Sequence, residues 1–258
     1  MIDETFVAEI DFARSMPSTS NRAREIVHAG ANHEPRPRLP LLVLTERQTA
    51  GRGRGNHAWW AGEGGLTFSL VLADELRHVP STDWPKLSIV AALAVLATLE
   101  TRLSANTLEL RWPNDVYAQG RKICGILPEL FGQPGEHWLV LGIGLNLNNR
   151  RSAAPVELRQ RITSLGDLTD RHHDPTATLI DLLNRLQHDL DRLSNADPQL
   201  AHEWNHWFRL QGRRVSLDSG GQRYEGLCQG IDPAGQLLLK TATGMRRFHS
   251  GTMVRAED

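Results

Sequence analysis

The stretch SIVAALAVLATL, Ser88 to Leu99, restricts the folds open to this chain more than any other. It is apolar nearly all round, so a helix made from it has no face to give to water and must lie buried against a sheet. It is too short to span a bilayer. Trp84 and Pro85 precede it, and Glu100 and Arg102 follow. The helix predicted over 84–103 therefore belongs inside a large domain. With 258 residues the chain can form one large domain, or one large and one small.

Short apolar runs bounded by Pro, Gly or charge predict the sheet at 39–46, 66–73, 108–112 and 137–148. A turn at 113–115 and the run 121–130 lie between the last two. A second helix is predicted over 175–193, opened by Pro175, with Leu179, Leu182, Leu183, Leu186 and Leu190 at helical spacing. A third covers 201–210, after the break at Pro198, and 32–40 reads as an exposed loop. From Gly212 the chain turns to short strands joined by DSGGQ, DPAG and TATG, the pattern of a small β-barrel-like domain. The fold class is thus α+β, with a domain boundary near 209–212.

Charge and cysteine usage remove several function classes. The 29 Lys and Arg balance 30 Asp and Glu, for a formal charge of -1, which argues against a partner held by phosphate attraction. Cys124 and Cys228 make neither a disulfide framework nor a Cys-based zinc site, and their scarcity fits a reducing compartment. The N-terminal MIDETFVAEIDF lacks the basic start and apolar core of a secretory signal. A soluble, cytoplasmic protein is expected.

Four stretches carry chemistry. In AGRGRGNHAWW, 50–60, glycines let backbone N–H groups approach a ligand, while Arg52 and Arg54 offer planar forks for carboxylate or phosphate. The stretch lacks the P-loop pattern GxxxxGK(S/T), and by itself it reads equally as a flexible turn. In RWPNDVYAQGRKICGILPEL, 111–130, Asn114 and Asp115 follow a strand and Lys122 enters an apolar run, where a point charge can face a pocket. Alone, an ordinary strand–turn–strand with a solvated turn is the slightly better reading. In LGIGLNLNN, 141–149, Gly142 and Gly144 bare one strand face, and Asn146 follows on it. A packing role explains those glycines as well. The fourth, His202-Glu203-Trp204-Asn205-His206, fits HExxH. However, Glu225 sits in an apparent strand, and Trp204, Trp207, Phe208 and Leu210 look like the buried side of a packing helix. His172 and His173 add only a polar loop.

Taken together, and in this order and spacing, these motifs resemble the biotin protein ligase family from near Ser18 to the C-terminus. QTAGRGRGNHAW, RWPNDVYAQGRKICGILPE, VLGIGLNLN and PSTSN (17–21) look like its signatures. The resemblance implies a class II synthetase-like catalytic domain over 1–210 and an SH3-like β-barrel over 211–258. It implies ATP and biotin as substrates, Mg²⁺, and no structural metal. Biotin is activated to biotinyl-5′-AMP and passed to a lysine of a biotin carboxyl carrier protein.

Residue by residue, Ser18, Thr19, Ser20 and Gln48 would hydrogen-bond the biotin head group. Gly51, Arg52, Gly53 and Arg54 would cover its carboxylate and the adenylate phosphate, in a loop that orders on binding. Lys122 would touch carboxylate and phosphoryl oxygen, with Gly125 where backbone meets ligand. Trp59, Asn114, Asp115 and Asn146 would line the nucleotide side, Mg²⁺ would sit near Asp115, and Arg213 or Arg214 would reach the nucleotide. Lys122, Arg52, Arg54 and Asp115 would form the catalytic group. Asn56 and His57 depart from the family's loop, Arg111 replaces a lysine, and Ser20 stands where Asn is common. The first motif starts too early to leave room for a DNA-binding domain, so a monofunctional ligase is expected. It would be a monomer or weak homodimer with no nucleic-acid or membrane partner. The competing readings are a lipoate or octanoate ligase or transferase, a nucleic-acid or ligand-sensing module, and, last, a zinc peptidase.

Overall fold

The structure, a computed structural model, describes residues 1–32, 36–55, 57–72, 79, 81–133 and 136–256. A seven-stranded sheet runs in the order β1 (Glu9–Met16), β2 (Leu41–Gln48), β3 (Leu66–Leu72), β7 (Glu136–Leu145), β6 (Arg121–Gln133), β5 (Asp115–Ala118), β4 (Leu108–Arg111). Only β1 and β2 pair in parallel, joined by α1 (Thr19–Asn32); every other pair is antiparallel. The mixed sheet expected from the sequence is thus present, with β1, β5 and β6 beyond the four strands expected, and with α1 and the short α3 (Leu165–Thr169) beyond the three helices. Neither β1 nor α1 shows a clean period. Strand β1 mixes Glu9, Asp11 and Arg14 into an edge strand, and the apolar residues that α1 buries are Ala23 and Val27, besides the polar Thr19 and Ser20 at its start.

Side chains alternate across the sheet, so each strand divides between two cores. On β3 and β7, Leu66, Phe68, Leu70, Leu72, Leu139, Leu141, Ile143 and Leu145 join the main core. There they meet α2 (Leu87–Glu100), α4 (Pro175–Ser194) and α5 (Gln199–Trp207). Helix α2 is buried from Leu87 to Leu96 without a break, as a helix with no polar face must be. The helix predicted from residue 84 begins at Leu87, because 81–86 form a 3₁₀ turn. Asp174 caps α4, its carboxylate accepting from the N–H groups of Thr176 and Ala177. The opposite face of the sheet packs on α1 through Val43, Val71 and Val140.

Residues 214–256 form a five-stranded sheet: β11 (Gly244–Phe248), β10 (Leu237–Thr241), β9 (Gln222–Ile231), β8 (Arg214–Ser219), β12 (Thr252–Ala256). The barrel expected here does not close, since β11 and β12 are the two edges of the ladder and do not pair. Yet residues 249–251 alone link them, a span of at most roughly 14 Å. A flat five-stranded sheet would hold its edges about 19 Å apart. The sheet is therefore strongly curled, helped by register shifts in β10 and β12. Its inner residues Val215, Leu217, Leu237 and Leu239 belong to the same core as α2 and α5.

Polar contacts lock that junction. Trp112 Nε1 donates to the Gly235 carbonyl at 3.0 Å. Asn205 Oδ1 accepts from the Ile231 N–H at 2.9 Å, while its Nδ2 donates to the Ile231 carbonyl at 2.7 Å. Replacing Asn205 by Ala would orphan the Ile231 N–H and leave its carbonyl only the 3.4 Å bond from Trp204 Nε1. The expected loss is about 1–3 kcal/mol of unfolding free energy with an unchanged m-value in a urea titration.

Candidate functional site

The face of the sheet away from the large core is laid out in rows set by strand register. Thr45, Thr67, Gly144, Gly125 and Asp115 form the first row across β2, β3, β7, β6 and β5. Val43, Ser69, Gly142 and Leu127 form the second. Leu41, Val71, Val140 and Glu129 form the third. Successive rows are two residues apart, roughly 6.6 Å along a strand. Above the first two rows lies a cavity of about 390 Å³.

Ser69 in the second row meets polar side chains from α1 and β2. Ser69 Oγ donates to Thr19 Oγ1 at 2.8 Å, and Thr19 Oγ1 in turn donates to Gln48 Oε1 at 3.2 Å. The Thr19 N–H reaches the same oxygen at 2.8 Å. Ser20 Oγ lies 3.1 Å from Ser69 Oγ, and with the Ser69 proton committed to Thr19, Ser20 is the donor. Ser18 caps α1, its Oγ accepting from the Asn21 N–H at 3.4 Å, and so aims Thr19 and Ser20 at the sheet. Three buried hydroxyls and an amide thus converge on one wall. A Cβ on Gly142 would lie 2.9 Å from Ser20 Oγ, so a side chain there would push into this cluster.

The first row is a platform. Gly125 and Gly144 face each other across β6 and β7, and the Trp59 indole lies on them. A Cβ at Gly144 would come 2.5 Å from Trp59 Cε2, and one at Gly125 3.0 Å from Trp59 Cζ3. The indole N–H is buried and makes no hydrogen bond to any described residue. Lys122 Nζ stands 5.7 Å above the ring and 2.7 Å from Asp115 Oδ1, a charge contact without the alignment of a hydrogen bond. The Lys122 backbone is held on both sides, its N–H donating to Arg161 O at 2.9 Å and its carbonyl accepting from Thr163 N–H at 3.0 Å. Burial, with the Asp115 carboxylate adding to it, pushes the Tyr117 phenol up, and burial pushes the Cys124 thiol up. Both keep their protons at neutral pH, and Cys124 is no nucleophile.

Residues 51–55 and 57–59 form the two arms of a hairpin over the cavity. Trp59 N–H donates to Gly51 O at 2.9 Å, Gly53 N–H to His57 O at 2.8 Å, and Arg52 pairs with Ala58. Asn56, one of the two departures noted at the loop tip, lies outside the described residues. The two arginines diverge. Arg52 forks onto Glu129, Nη2 to Oε1 at 2.7 Å and Nη1 to Oε2 at 3.2 Å. Arg54 reaches the other sheet, donating to Gly251 O and, at 3.2 Å, to Thr252 Oγ1.

The structure thus brings Ser18, Thr19, Ser20, Gln48, Arg52, Gly53, Arg54, Trp59, Asn114, Asp115, Lys122, Gly125 and Asn146 to one cavity, with Gly51 at the hairpin base. Asn114 and Asn146 serve the frame as well. Asn114 Nδ2 donates to Ile126 O at 2.7 Å, and Asn146 Oδ1 accepts from Asn149 Nδ2 at 3.0 Å. Arg213 and Arg214 do not line the cavity; Gly251, Thr252 and Met253 do so from that sheet. Ser69, Thr67, Glu129 and Arg161 went unread in the sequence. A serine inside LTFSLVL and an acid inside GILPEL were the available signals, both polar residues in strand-like apolar runs.

The HExxH stretch makes no such site. Arg192 grips the Glu203 carboxylate at 2.6 and 2.9 Å, while Trp204 and Trp207 are buried. Among the described residues no three His, Cys, Asp or Glu groups converge as metal ligands.

The platform is open to a direct check. Gly144→Ala is expected to lift the Trp59 indole, giving a near-UV circular-dichroism change that matches Trp59→Phe, with the far-UV spectrum intact. An unaltered near-UV spectrum would show that the indole does not rest there.

Comparison with known proteins gives concordant results. Residues 14–146 match the family described as biotin/lipoate A/B protein ligase, and residues 211–255 match the biotin protein ligase C-terminal domain. The chain is 36% identical over 202 residues to a biotin–acetyl-CoA-carboxylase ligase of Mycobacterium tuberculosis, covering 77% of this chain and 73% of that protein. It is 29% identical over 238 residues to the bifunctional ligase/repressor BirA of Bacillus subtilis, covering 91% and 70%. The structure of a biotin protein ligase from Aquifex aeolicus in complex with biotin and ATP superimposes with a TM-score of 0.80 at 27% identity, covering 97% of this chain and 100% of that one.

Proposed function

This chain belongs to the biotin/lipoate A/B protein ligase family, and from that premise we infer that it is an ATP-dependent biotin protein ligase. The observation that carries the reading is the order of chemistry along the sheet. A hydroxyl and amide wall in one row suits a ring with hydrogen-bonding edges, and a lysine amine one row away suits the carboxylate at the end of its tail. A lipoyl or octanoyl chain presents no hydrogen-bonding head, and would leave the Thr19, Ser20 and Gln48 groups facing apolar atoms. Biotin is therefore favoured over lipoate and octanoate.

In the first step a biotin carboxylate oxygen attacks the α-phosphorus of ATP. A P–O bond forms, the bond to pyrophosphate breaks, and biotinyl-5′-AMP remains. In the second, a neutral lysine amine of the acceptor attacks the acyl carbon. The C–N bond forms, the C–O bond to AMP breaks, and the amine loses a proton. Two anions must meet in the first step, so the cavity has to supply positive charge where they join. Lys122 does so at the reacting centre, held by the strand contacts on both sides of its backbone. Arg54 raises the potential of the cavity from the hairpin, while Arg52 is committed to Glu129 at the other end. Trp59 packs over the ligand, and the hairpin excludes water that would hydrolyse the adenylate.

Among the described residues Asp115 is the one carboxylate lining the cavity. A single carboxylate beside a polyphosphate suits Mg²⁺, which keeps most of its waters and takes few protein ligands. Asp115 would hold the ion, which would supply charge neutralisation at the phosphates. The acceptor in this reading is a lysine of a biotin carboxyl carrier protein. Residues 1–210 serve as the biotin and ATP domain and 211–258 as the SH3-like domain, in a cytoplasmic monomer or weak homodimer. No helix among the described residues is long and apolar enough to cross a membrane.

ATP–pyrophosphate exchange, run with biotin, lipoate and octanoate in turn, tests the reading, and exchange is expected with biotin alone. Exchange driven by lipoate or octanoate instead would overturn it. Lys122→Ala is expected to lower biotin-dependent exchange by about a hundredfold or more while the melting temperature holds. Wild-type turnover in that variant would take Lys122 out of the chemistry.

A further inference from the structure

We propose that Glu129 is a positioning residue that fixes the Arg52 guanidinium across the ring end of the cavity, and so sets how tightly the biotin ring is held. The proposal rests on the reading of this cavity as a biotin site. It assigns a task to an acid that lies outside the cavity lining.

Glu129 stands in the third row, opposite Val140. Its side chain is only 12% exposed, and its one negative charge serves two cations. Oε1 accepts from Arg52 Nη2 at 2.7 Å and from Arg24 Nη2 at 2.8 Å, and Oε2 accepts from Arg52 Nη1 at 3.2 Å. Asn21 Oδ1 takes a further Arg52 Nη1 proton at 2.8 Å. Those contacts occupy three of the five guanidinium N–H groups, and leave the Nε proton and one Nη2 proton for a ligand. The trio of Arg24, Arg52 and Glu129 keeps a net single positive charge.

Register separates this cluster from Lys122. The Lys122 amine lies against Gly125 in the first row, and Glu129 is four residues further along β6, roughly 13 Å away. The hydroxyl row of Ser69 and Gly142 lies between them. A substrate whose carboxylate meets Lys122 therefore runs its ring past the hydroxyls toward Arg52. Arg52 acts at the end of the substrate remote from the bond being made, and Lys122 at the near end. An arginine side chain left free has many rotamers to lose on binding, and a bidentate carboxylate has already removed most of them. Because Arg52 also forms the base of the hairpin opposite Ala58, the same contact sets that side of the loop beside α1.

A contact made remotely, and equally in the bound and transition states, changes KM and leaves kcat alone. In steady-state biotin-dependent ATP–pyrophosphate exchange, Glu129→Gln is expected to raise the KM for biotin about tenfold, with kcat and the KM for ATP within twofold of wild type. In an Arg52→Ala background the same substitution is expected to add less than twofold, since Glu129 acts through Arg52. Glu129→Asp, which keeps the charge and shortens the reach, is expected to fall between wild type and Gln, and stands in for it should Gln fail to fold. A fall in kcat at unchanged KM, or an equal penalty with and without Arg52, would overturn the proposal. Wild-type protein that exchanges with no biotin dependence would instead overturn the reading of the cavity, and the assignment of Glu129 with it.

Discussion

Everything at this site depends on the bareness of β6 and β7 where they cross. Gly125 faces Gly144, and Gly142 stands beside the Ser20 hydroxyl. A single methyl group at Gly144 would occupy the space the Trp59 ring uses. The neighbouring positions Ile126, Ile143 and Leu141 point the other way into the main core, so at this point the two strands are packed on one face and bare on the other. That asymmetry costs the strands side-chain packing and gives the backbone a surface that a flat ring can lie against. The pairing of β6 with β7 nevertheless runs without a break from Cys124 to Gln133, so main-chain hydrogen bonds continue through the bare strip.

The positive charges are arranged on the same principle of prior commitment. Lys122 rests beside Asp115, Arg52 on Glu129, and Arg54 on the carbonyl and hydroxyl of the β12 edge. Each cation is partly desolvated yet keeps a partner, so none carries the full penalty of an unpaired charge near a buried wall. The partners differ in kind. Asp115 shares the cavity with Lys122 and faces the same ligand, whereas Glu129 lies behind Arg52 and outside the lining. A ligand phosphate bound in the cavity would compete for the first pair and leave the second intact.

Much of the frame was legible because buried elements keep a strict period. The all-apolar run of α2, the leucine spacing of α4 and the central strands β2, β3 and β7 were read within a few residues. Strand β1 and helix α1 were not, since an edge strand carrying Glu9, Asp11 and Arg14 and a helix with few buried residues show no period to read. The glycine strand was ambiguous in one dimension, because Gly142 and Gly144 gain meaning only when Gly125 is brought opposite by a hairpin. Ser69 and Glu129 follow the same logic. Each is a polar residue inside an apolar run, and its partner lies 50 or 77 residues away in sequence. HExxH failed in the reverse direction, with ideal local spacing and a glutamate already claimed by Arg192.

The curled C-terminal sheet is part of the site by construction. Its interior is continuous with the core under α2 and α5, and Trp112, one residue before Pro113 and Asn114, is tied to the Gly235 carbonyl. Asn205 holds the Ile231 backbone by both of its polar groups. The edge that Arg54 grasps is thus fixed relative to β5 and β6, and Gly251, Thr252 and Met253 form a wall of the cavity. The hairpin consequently has two anchors on opposite sides of the ligand space, Glu129 on the large sheet and the β12 edge on the small one. A loop rich in glycine has little stiffness of its own. Backbone bonds close the hairpin, and those two arginines fix it over the cavity.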